Sequence, residues 1–139
     1  MIFWDSSALV ALLVAESDSD RRSEQLRTDP QLAIWWATPV ECESAIQRRV
    51  RDGSLTPEQA RAARDRLEEL SSVWREVAPR GVVRALARRL LRTHPLRAAD
   101  ALQLAAALAL QHAGSGQLCF ATSDGRLAGA AEAEGLRIC

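Results

Sequence analysis

Four carboxylates of this 139-residue chain stand where a predicted strand ends or a predicted helix begins. Asp5 directly follows the first predicted strand, and Asp124 comes three residues after the apolar segment 118–121. Glu41 lies in the first turn of the helix predicted after the second strand, and Asp100 lies near the start of an apolar helix. Because ligands bind at the carboxyl ends of parallel strands, these four side chains could converge on one edge of a sheet.

Carboxylates that cluster in this way raise one another's pKa values unless a cation neutralises them. Ligand sets made only of oxygen favour hard ions, here Mg²⁺ or Mn²⁺. Such an ion can activate a water molecule and offset the charge that develops on a phosphodiester during in-line attack. Each acid also has a purely structural explanation, as a helix cap, a turn residue or a partner of a helix dipole. Their joint occurrence is what favours a metal site.

The composition argues against several other kinds of site. All the positive side chains are arginine, so the chain lacks the lysine of a P-loop or of a kinase. His94 and His112 stand alone, which is typical of helix-end residues rather than of a base or a metal ligand. Cys42, Cys119 and Cys139 are odd in number and far apart, so neither a zinc site nor a disulfide framework is expected. Cys42 and Cys119 are predicted to be small core residues in a reducing cytoplasm.

Short apolar segments alternate with helical patterns along the whole chain. The predicted strands are residues 2–4, 32–36, 73–77, 118–121 and 136–138, and the predicted helices are residues 6–14, 21–27, 38–53, 56–71, 81–93, 96–111 and 125–134. This alternation predicts one α/β domain over residues 1–139, with a mostly parallel sheet between two layers of helices. Thr38 with Glu41, and Thr56 with Gln59, fit capping boxes at helix starts. Residues 114–116 fit a short flexible turn.

The helix at residues 96–111 is almost wholly apolar, so it belongs in the middle of the domain. Asp100 is therefore expected to be buried, and a buried carboxylate needs a positive partner. The helix at residues 21–27 is expected to be exposed. No apolar run reaches the roughly 18 to 20 residues that span a bilayer, and no basic leader precedes the first strand. A cytoplasmic protein without a membrane segment is expected.

Four segments resemble the motifs of PIN domains. They are residues 2–9 (IFWDSSAL), 38–46 (TPVECESAI), 96–105 (LRAADALQLA) and 120–127 (FATSDGRL). The similarity runs in order over the whole chain, and it implies a PIN-like three-layer α/β/α fold. In its length and its lack of appendages, the chain looks like a VapC-type toxin of a bacterial or archaeal toxin–antitoxin pair.

This resemblance implies an endoribonuclease that depends on Mg²⁺ or Mn²⁺ and cleaves RNA phosphodiester bonds. It also implies a homodimer that a cognate VapB-type antitoxin holds inactive, with DNA contacted only indirectly through the antitoxin. The net charge of zero is a mild departure, because phosphate contacts drive the affinity of proteins for nucleic acid.

The residue roles follow from the same resemblance. The implied catalytic and metal-binding residues, direct or through water, are Asp5, Glu41, Asp100 and Asp124. Glu41 is preferred over Glu43 because a small residue and an aliphatic residue follow it at the family's spacing. The hydroxyls of Ser7 and Thr122 would orient ligands or water. Three arginines near the acidic edge are candidates for RNA contacts, namely Arg92, Arg97 and Arg126.

Two alternatives remain open at this point. A haloacid dehalogenase-type phosphatase would need a second aspartate two residues after Asp5, where Ser7 stands. A non-catalytic PIN-like binding module would use the acids only to dock an arginine-rich partner segment. Binding of Mn²⁺ together with RNA cleavage would separate the nuclease from the binding module.

Overall fold

A five-stranded sheet runs through the computed structural model, which describes residues 1–114 and 116–139. Its strands are β1 (Ile2–Trp4), β2 (Leu32–Trp35), β3 (Arg75–Val77), β4 (Cys119–Ala121) and β5 (Arg137–Ile138). Their spatial order is β3-β2-β1-β4-β5, and every neighbouring pair is parallel. The predicted parallel α/β class is confirmed. The predicted turn at residues 114–116 includes Ser115, which lies outside the described residues.

The helices agree with the sequence pattern in number and order over the described residues. They are α1 (Ser6–Val10), α2 (Ser19–Thr28), α3 (Thr38–Arg51), α4 (Pro57–Ser71), α5 (Gly81–Thr93), α6 (Ala98–His112) and α7 (Gly125–Ala133). The largest difference is at α1, which ends at Val10 although the apolar pattern continues to residue 14. Beyond Val10 the hydrogen bonds have the spacing of a 3₁₀ turn, since the N–H groups of Leu12 and Leu13 donate to carbonyls three residues earlier.

Successive residues of the central strands face opposite sides of the sheet, as the two-residue period of a strand requires. In β1, Phe3 packs in the core cluster that contains α5, α6 and α7. Its neighbours Ile2 and Trp4 pack in the cluster that contains α1, α3 and α4. Both faces of the sheet are therefore covered by helices, and the apolar helix α6 lies in the core as predicted.

The two predicted capping boxes have different outcomes. At α4 the box is confirmed, because the Thr56 hydroxyl accepts from the Gln59 N–H and the Gln59 side chain accepts from the Thr56 N–H. At α3 the box is wrong, because Ala37 is the N-cap residue and Thr38 is already inside the helix. The Thr38 hydroxyl accepts a hydrogen bond from the Gln103 side chain instead.

The cysteines also differ from the expectation. Cys119 and Cys139 form a disulfide, with their Cα atoms 5.8 Å apart, so the prediction that a disulfide is improbable is wrong. The parallel pairing of β4 with β5 brings two cysteines of distant sequence position to neighbouring places. Cys119 is nevertheless a buried core residue as predicted, and so is Cys42, which is a free thiol.

No helix among the described residues combines the length and the hydropathy needed to cross a membrane.

Candidate functional site

The pairing of β1 with β4 places Asp5 beside Thr122. Trp4 is in register with Ala121, so the next residues of the two strands meet at the carboxyl edge of the sheet. The Asp5 N–H donates to the Ala121 carbonyl at 2.9 Å, and the Thr122 hydroxyl donates to Asp5 Oδ2 at 3.0 Å. The parallel topology alone therefore builds the first contact of the site.

Ser7 completes the surroundings of the Asp5 carboxylate. Its hydroxyl donates to Oδ2 at 2.5 Å and its N–H donates to the same oxygen at 3.1 Å. The Ser7 hydroxyl in turn accepts from the Ser123 N–H at 2.9 Å. The two hydroxyls that the family resemblance implies, those of Ser7 and Thr122, thus both contact one oxygen of Asp5. The Oδ1 atom accepts no hydrogen bond within the described part of the chain.

Glu41 is held in a similar way from α3. Its Oε2 accepts from the Ser6 hydroxyl at 2.7 Å and from the Gln103 side-chain amide at 3.1 Å. Gln103 is only 1% exposed and bridges Glu41 to Thr38. The sequence signal for this residue is an amide within the apolar part of α6, three positions after Asp100, whereas the second amide of the helix, Gln111, stands near its end.

The charges of other predicted acids act on Asp5 and on Glu41. Burial raises the pKa of Asp5, the hydrogen bonds from Ser7 and Thr122 oppose this, and the charge of Asp100 raises it further. Burial also raises the pKa of Glu41, where the charges of Asp5 and Asp100 add to the effect. Asp5 and Glu41 therefore lie within range of each other's charge and of that of Asp100, and a cation beside them would relieve this repulsion.

The buried acid is Asp5 rather than Asp100, contrary to the expectation. Asp5 is 3% exposed, whereas Asp100 is partly exposed and accepts from the Arg97 N–H at 3.3 Å. The reason is that α6 begins at Ala98, so Asp100 lies in its first turn, where residues 97–99 are exposed. The predicted need of Asp100 for a positive partner is correspondingly smaller.

Asp124 is the N-cap residue of α7. Its Oδ1 accepts from the N–H groups of Arg126 at 2.8 Å and Leu127 at 3.0 Å, and the side chain is exposed. Its own N–H donates to the Thr122 hydroxyl at 3.1 Å. Capping thus uses one carboxylate oxygen, and Oδ2 accepts no hydrogen bond within the described residues. A role of Asp124 as a metal ligand stays a prediction.

The donor chemistry of these acids fits a hard divalent ion. Over residues 1–114 and 116–139, no three His, Cys, Asp or Glu side chains lie close enough to form a complete protein ligand set. Mg²⁺ does not need such a set, because it keeps several waters and binds through one or two carboxylates together with substrate phosphates. Within the described residues, Asp5 and Glu41 each have one carboxylate oxygen that accepts no hydrogen bond. Burial raises the pKa of both carboxyls, so a bound cation would favour their charged forms.

Arg22 is a residue that the sequence analysis missed. The predicted exposed helix, α2, places this side chain in the interior at 0% exposure. Its guanidinium donates to the Thr122 carbonyl at 2.5 Å, to Asp18 Oδ2 at 2.8 Å and to the Cys139 carbonyl at 3.2 Å. Arg22 therefore ties α2 and the end of the chain to the residue that contacts Asp5. Polar sequence on both sides of it gave no signal of burial.

A cavity of about 250 Å³ opens beside Glu41. Its lining residues are Ser6, Ser7, Val10, Glu16, Glu41, Ala45, Arg48, Arg49 and Ser123. The candidates for RNA contacts named from the sequence lie elsewhere: Arg97 precedes α6, Arg126 lies in the first turn of α7, and Arg92 lies in the last turn of α5. All three are exposed, and their role stays a prediction.

Known proteins resemble this chain over nearly its whole length. The family model of the PIN domain matches residues 2–133. Ribonuclease VapC45 (strain CDC 1551 / Oshkosh) and Ribonuclease VapC49 (strain ATCC 25618 / H37Rv) of Mycobacterium tuberculosis are each 34% identical over 139 residues. The alignments cover 99% of this chain and 94% of each relative.

Two solved structures share the fold. FitAcB from Neisseria gonorrhoeae has a TM-score of 0.67 at 19% identity, covering 99% of this chain and 96% of that chain. VapC20 of Mycobacterium tuberculosis, described as a Sarcin-Ricin loop cleaving toxin, has a TM-score of 0.68 at 20% identity, covering 94% of this chain and 95% of that chain. These likenesses confirm the predicted three-layer architecture.

Proposed function

The chain belongs to the PIN domain family, and from this premise we propose that it is an endoribonuclease dependent on Mg²⁺ or Mn²⁺. We propose further that it acts as the toxin of a VapBC-like pair. The similarity to proteins named VapC ribonucleases supports this. The single observation that carries the proposal is the hydrogen-bonded placement of Asp5 and Glu41 at the carboxyl edge of the sheet, where the charge of Asp100 raises the pKa of both carboxyls.

The predicted site residues would have separate roles in binding the ion. Asp5 and Glu41 would hold the ion through their free oxygens, with Asp100 and Asp124 as further ligands, direct or through water. When bound, the ion supplies water activation and charge compensation at a phosphodiester. The hydroxyls of Ser7 and Thr122 donate to Oδ2 of Asp5. These hydrogen bonds fix the orientation of the carboxylate, including that of Oδ1. Such supporting contacts keep a ligand in its productive geometry.

The partners belong to the same proposal. We place a VapB-type antitoxin, an RNA substrate and a second copy of the chain among them, with DNA bound only through the antitoxin. We also place the protein in the cytoplasm, where its RNA substrate is found. Co-expression with the gene product encoded next to it, followed by measurement of the mass of the purified complex, tests both the antitoxin and the dimer.

The central experiment is cleavage of total bacterial RNA by the purified protein with Mg²⁺ or Mn²⁺, and with a chelator. Cleavage is expected with either ion and not with the chelator. Asp5→Asn should abolish it, because this change removes a charge from the ligand set and keeps the side-chain shape. The matched control is Asp65→Asn, since Asp65 is an exposed acid on α4. RNA that stays intact with every ion would favour the non-catalytic binding module and overturn the proposal.

A further inference from the structure

The cavity beside Glu41 is lined by both acidic and basic side chains. Its acids are Glu41 and Glu16, and its cations are Arg48 and Arg49. A divalent ion and a nucleic-acid phosphate require opposite kinds of surroundings, since the first needs carboxylates and the second needs cations or N–H donors. The cavity offers both within one space of about 250 Å³.

Helical spacing produces this arrangement. Glu41, Ala45 and Arg48 follow one another on α3 at intervals of four and three residues, so they share one face of the helix. Seven residues separate Glu41 from Arg48, which corresponds to about 10 Å along the helix axis. The Arg48 side chain therefore starts about two helical turns from the Glu41 side chain, on the same face of α3.

The two arginines differ in what already binds them. Arg49 donates to Glu16 Oε2 at 2.7 Å, and both side chains are partly exposed. The Arg48 guanidinium makes no hydrogen bond or ion pair with the described residues, and its charge acts weakly on the exposed carboxylate of Asp52. Arg48 is an exposed residue that lines the cavity without a partner among the described residues, and a guanidinium matches the geometry of a phosphate.

The overall charge of the chain makes a local cation necessary. The net charge is zero, so the molecule as a whole does not attract RNA. The acids at the site repel an approaching phosphodiester until a metal ion compensates them. A positive side chain that lines the same cavity as Glu41 is what would retain the RNA backbone there.

We propose that Arg48, assisted by Arg49, forms a phosphate-binding subsite for RNA, which holds a backbone phosphate next to the phosphodiester that is cleaved. This inference rests on the proposed function. The subsite binds the substrate through a phosphate that does not react, so it contributes equally to the bound substrate and to the transition state. Its loss therefore weakens binding and leaves the chemical step intact.

Two measurable consequences follow for Arg48→Ala. KM should rise about tenfold, because a charge-assisted hydrogen bond contributes roughly this factor to binding. The change in kcat should stay below about twofold. The slope of log Kd against log salt should fall by about 0.7, the contribution of one phosphate contact on a single strand. Arg48→Lys keeps the charge, so it should keep the salt slope and restore part of the affinity.

The test measures binding of a short, labelled, random-sequence single-stranded RNA by fluorescence anisotropy, from about 50 to 200 mM salt. Asp5→Asn serves as the parent, so that the RNA stays uncut, and Arg48→Ala is added to it. Arg61→Ala is the matched control, because Arg61 is an exposed helical arginine outside the cavity. Cleavage kinetics of Arg48→Ala with Asp5 intact give KM and kcat.

The outcomes separate the two proposals. Weaker binding and a smaller salt slope for Arg48→Ala, with Arg61→Ala unchanged, support the subsite. Equal affinity and equal slopes for Arg48→Ala and Arg61→Ala overturn the subsite, while metal-dependent cleavage by the unmodified protein leaves the proposed function standing. Absence of both binding and cleavage in the unmodified protein overturns the proposed function itself, and the subsite with it.

Discussion

Replacing Arg22 with alanine should destabilise the fold and loosen the site together. The Arg22 guanidinium is fully buried and donates to Asp18, Gln25, the Cys139 carbonyl and the Thr122 carbonyl, with a longer contact to the Ser123 hydroxyl. Alanine leaves those acceptors without their donor and leaves a space where the side chain packed.

The size of the effect follows from the partial exposure of Asp18. Breaking a fully buried ion pair costs about 3 to 5 kcal/mol, and the Asp18 side chain is 23% exposed. Water can therefore reach Asp18 once Arg22 is gone. We expect a loss in the free energy of unfolding at the lower end of that range, about 3 kcal/mol. For a domain of this length, that loss corresponds to a fall in Tm of about 12 °C.

Arg21→Ala is the matched control, because Arg21 pairs with the same carboxylate from the adjacent position. Its side chain is 52% exposed, so its loss should cost about 0.5 kcal/mol and about 2 °C. Thermal unfolding followed by circular dichroism gives both values. RNA cleavage, measured at a temperature at which both variants are folded, should fall about tenfold in Arg22→Ala only, because Thr122 loses its anchor. Equal Tm values for the two variants would refute the structural role of Arg22.

Two other changes test the same edge of the sheet. Gln103→Leu should lower the free energy of unfolding by about 1 to 3 kcal/mol, because Glu41 and Thr38 lose the amide that donates to them. Urea denaturation measures this free energy. An unchanged value would contradict the role of Gln103 in joining the two residues. Asp5→Asn should raise the Tm of the metal-free protein at neutral pH and have little effect in acid. The native state binds the Asp5 proton more tightly than the unfolded state because its pKa is raised. Stability is consequently lost as pH rises through the unfolded pKa towards the native one. A lower Tm for Asp5→Asn at neutral pH would oppose this reasoning.

The order of the elements and part of the site were predictable from local patterns. The alternation of apolar strands and helices fixes a parallel sheet, and a parallel sheet puts Asp5 and Thr122 on the same edge. The position of Ser7 follows from short-range spacing, two residues after Asp5. Local spacing sufficed for these contacts because they depend on adjacent strands and on a single turn of helix. The contacts of Gln103 were not predictable in this way, since they join α6 to α3.

Burial and long-range pairing were not predictable from the same patterns. Asp5 is more buried than Asp100 because β4 and the residues after it cover it, which depends on strand order rather than on local sequence. Arg22 is buried by the chain segments at Thr122 and Cys139, about 100 residues or more away. The disulfide between Cys119 and Cys139 likewise needs β5 as the neighbour of β4. A single sequence contains no local signal for such contacts.

Titration of the purified protein with Mn²⁺, followed by electron paramagnetic resonance of the free ion, tests the proposed metal site most directly. The unmodified protein should bind Mn²⁺. Its affinity should increase with pH, because protons compete with the ion for Asp5 and Glu41, whose pKa values are raised. Asp5→Asn and Glu41→Gln should each weaken this binding, and Asp65→Asn should not. Binding that is absent, or that is the same in all four proteins, would contradict a metal site at this edge of the sheet.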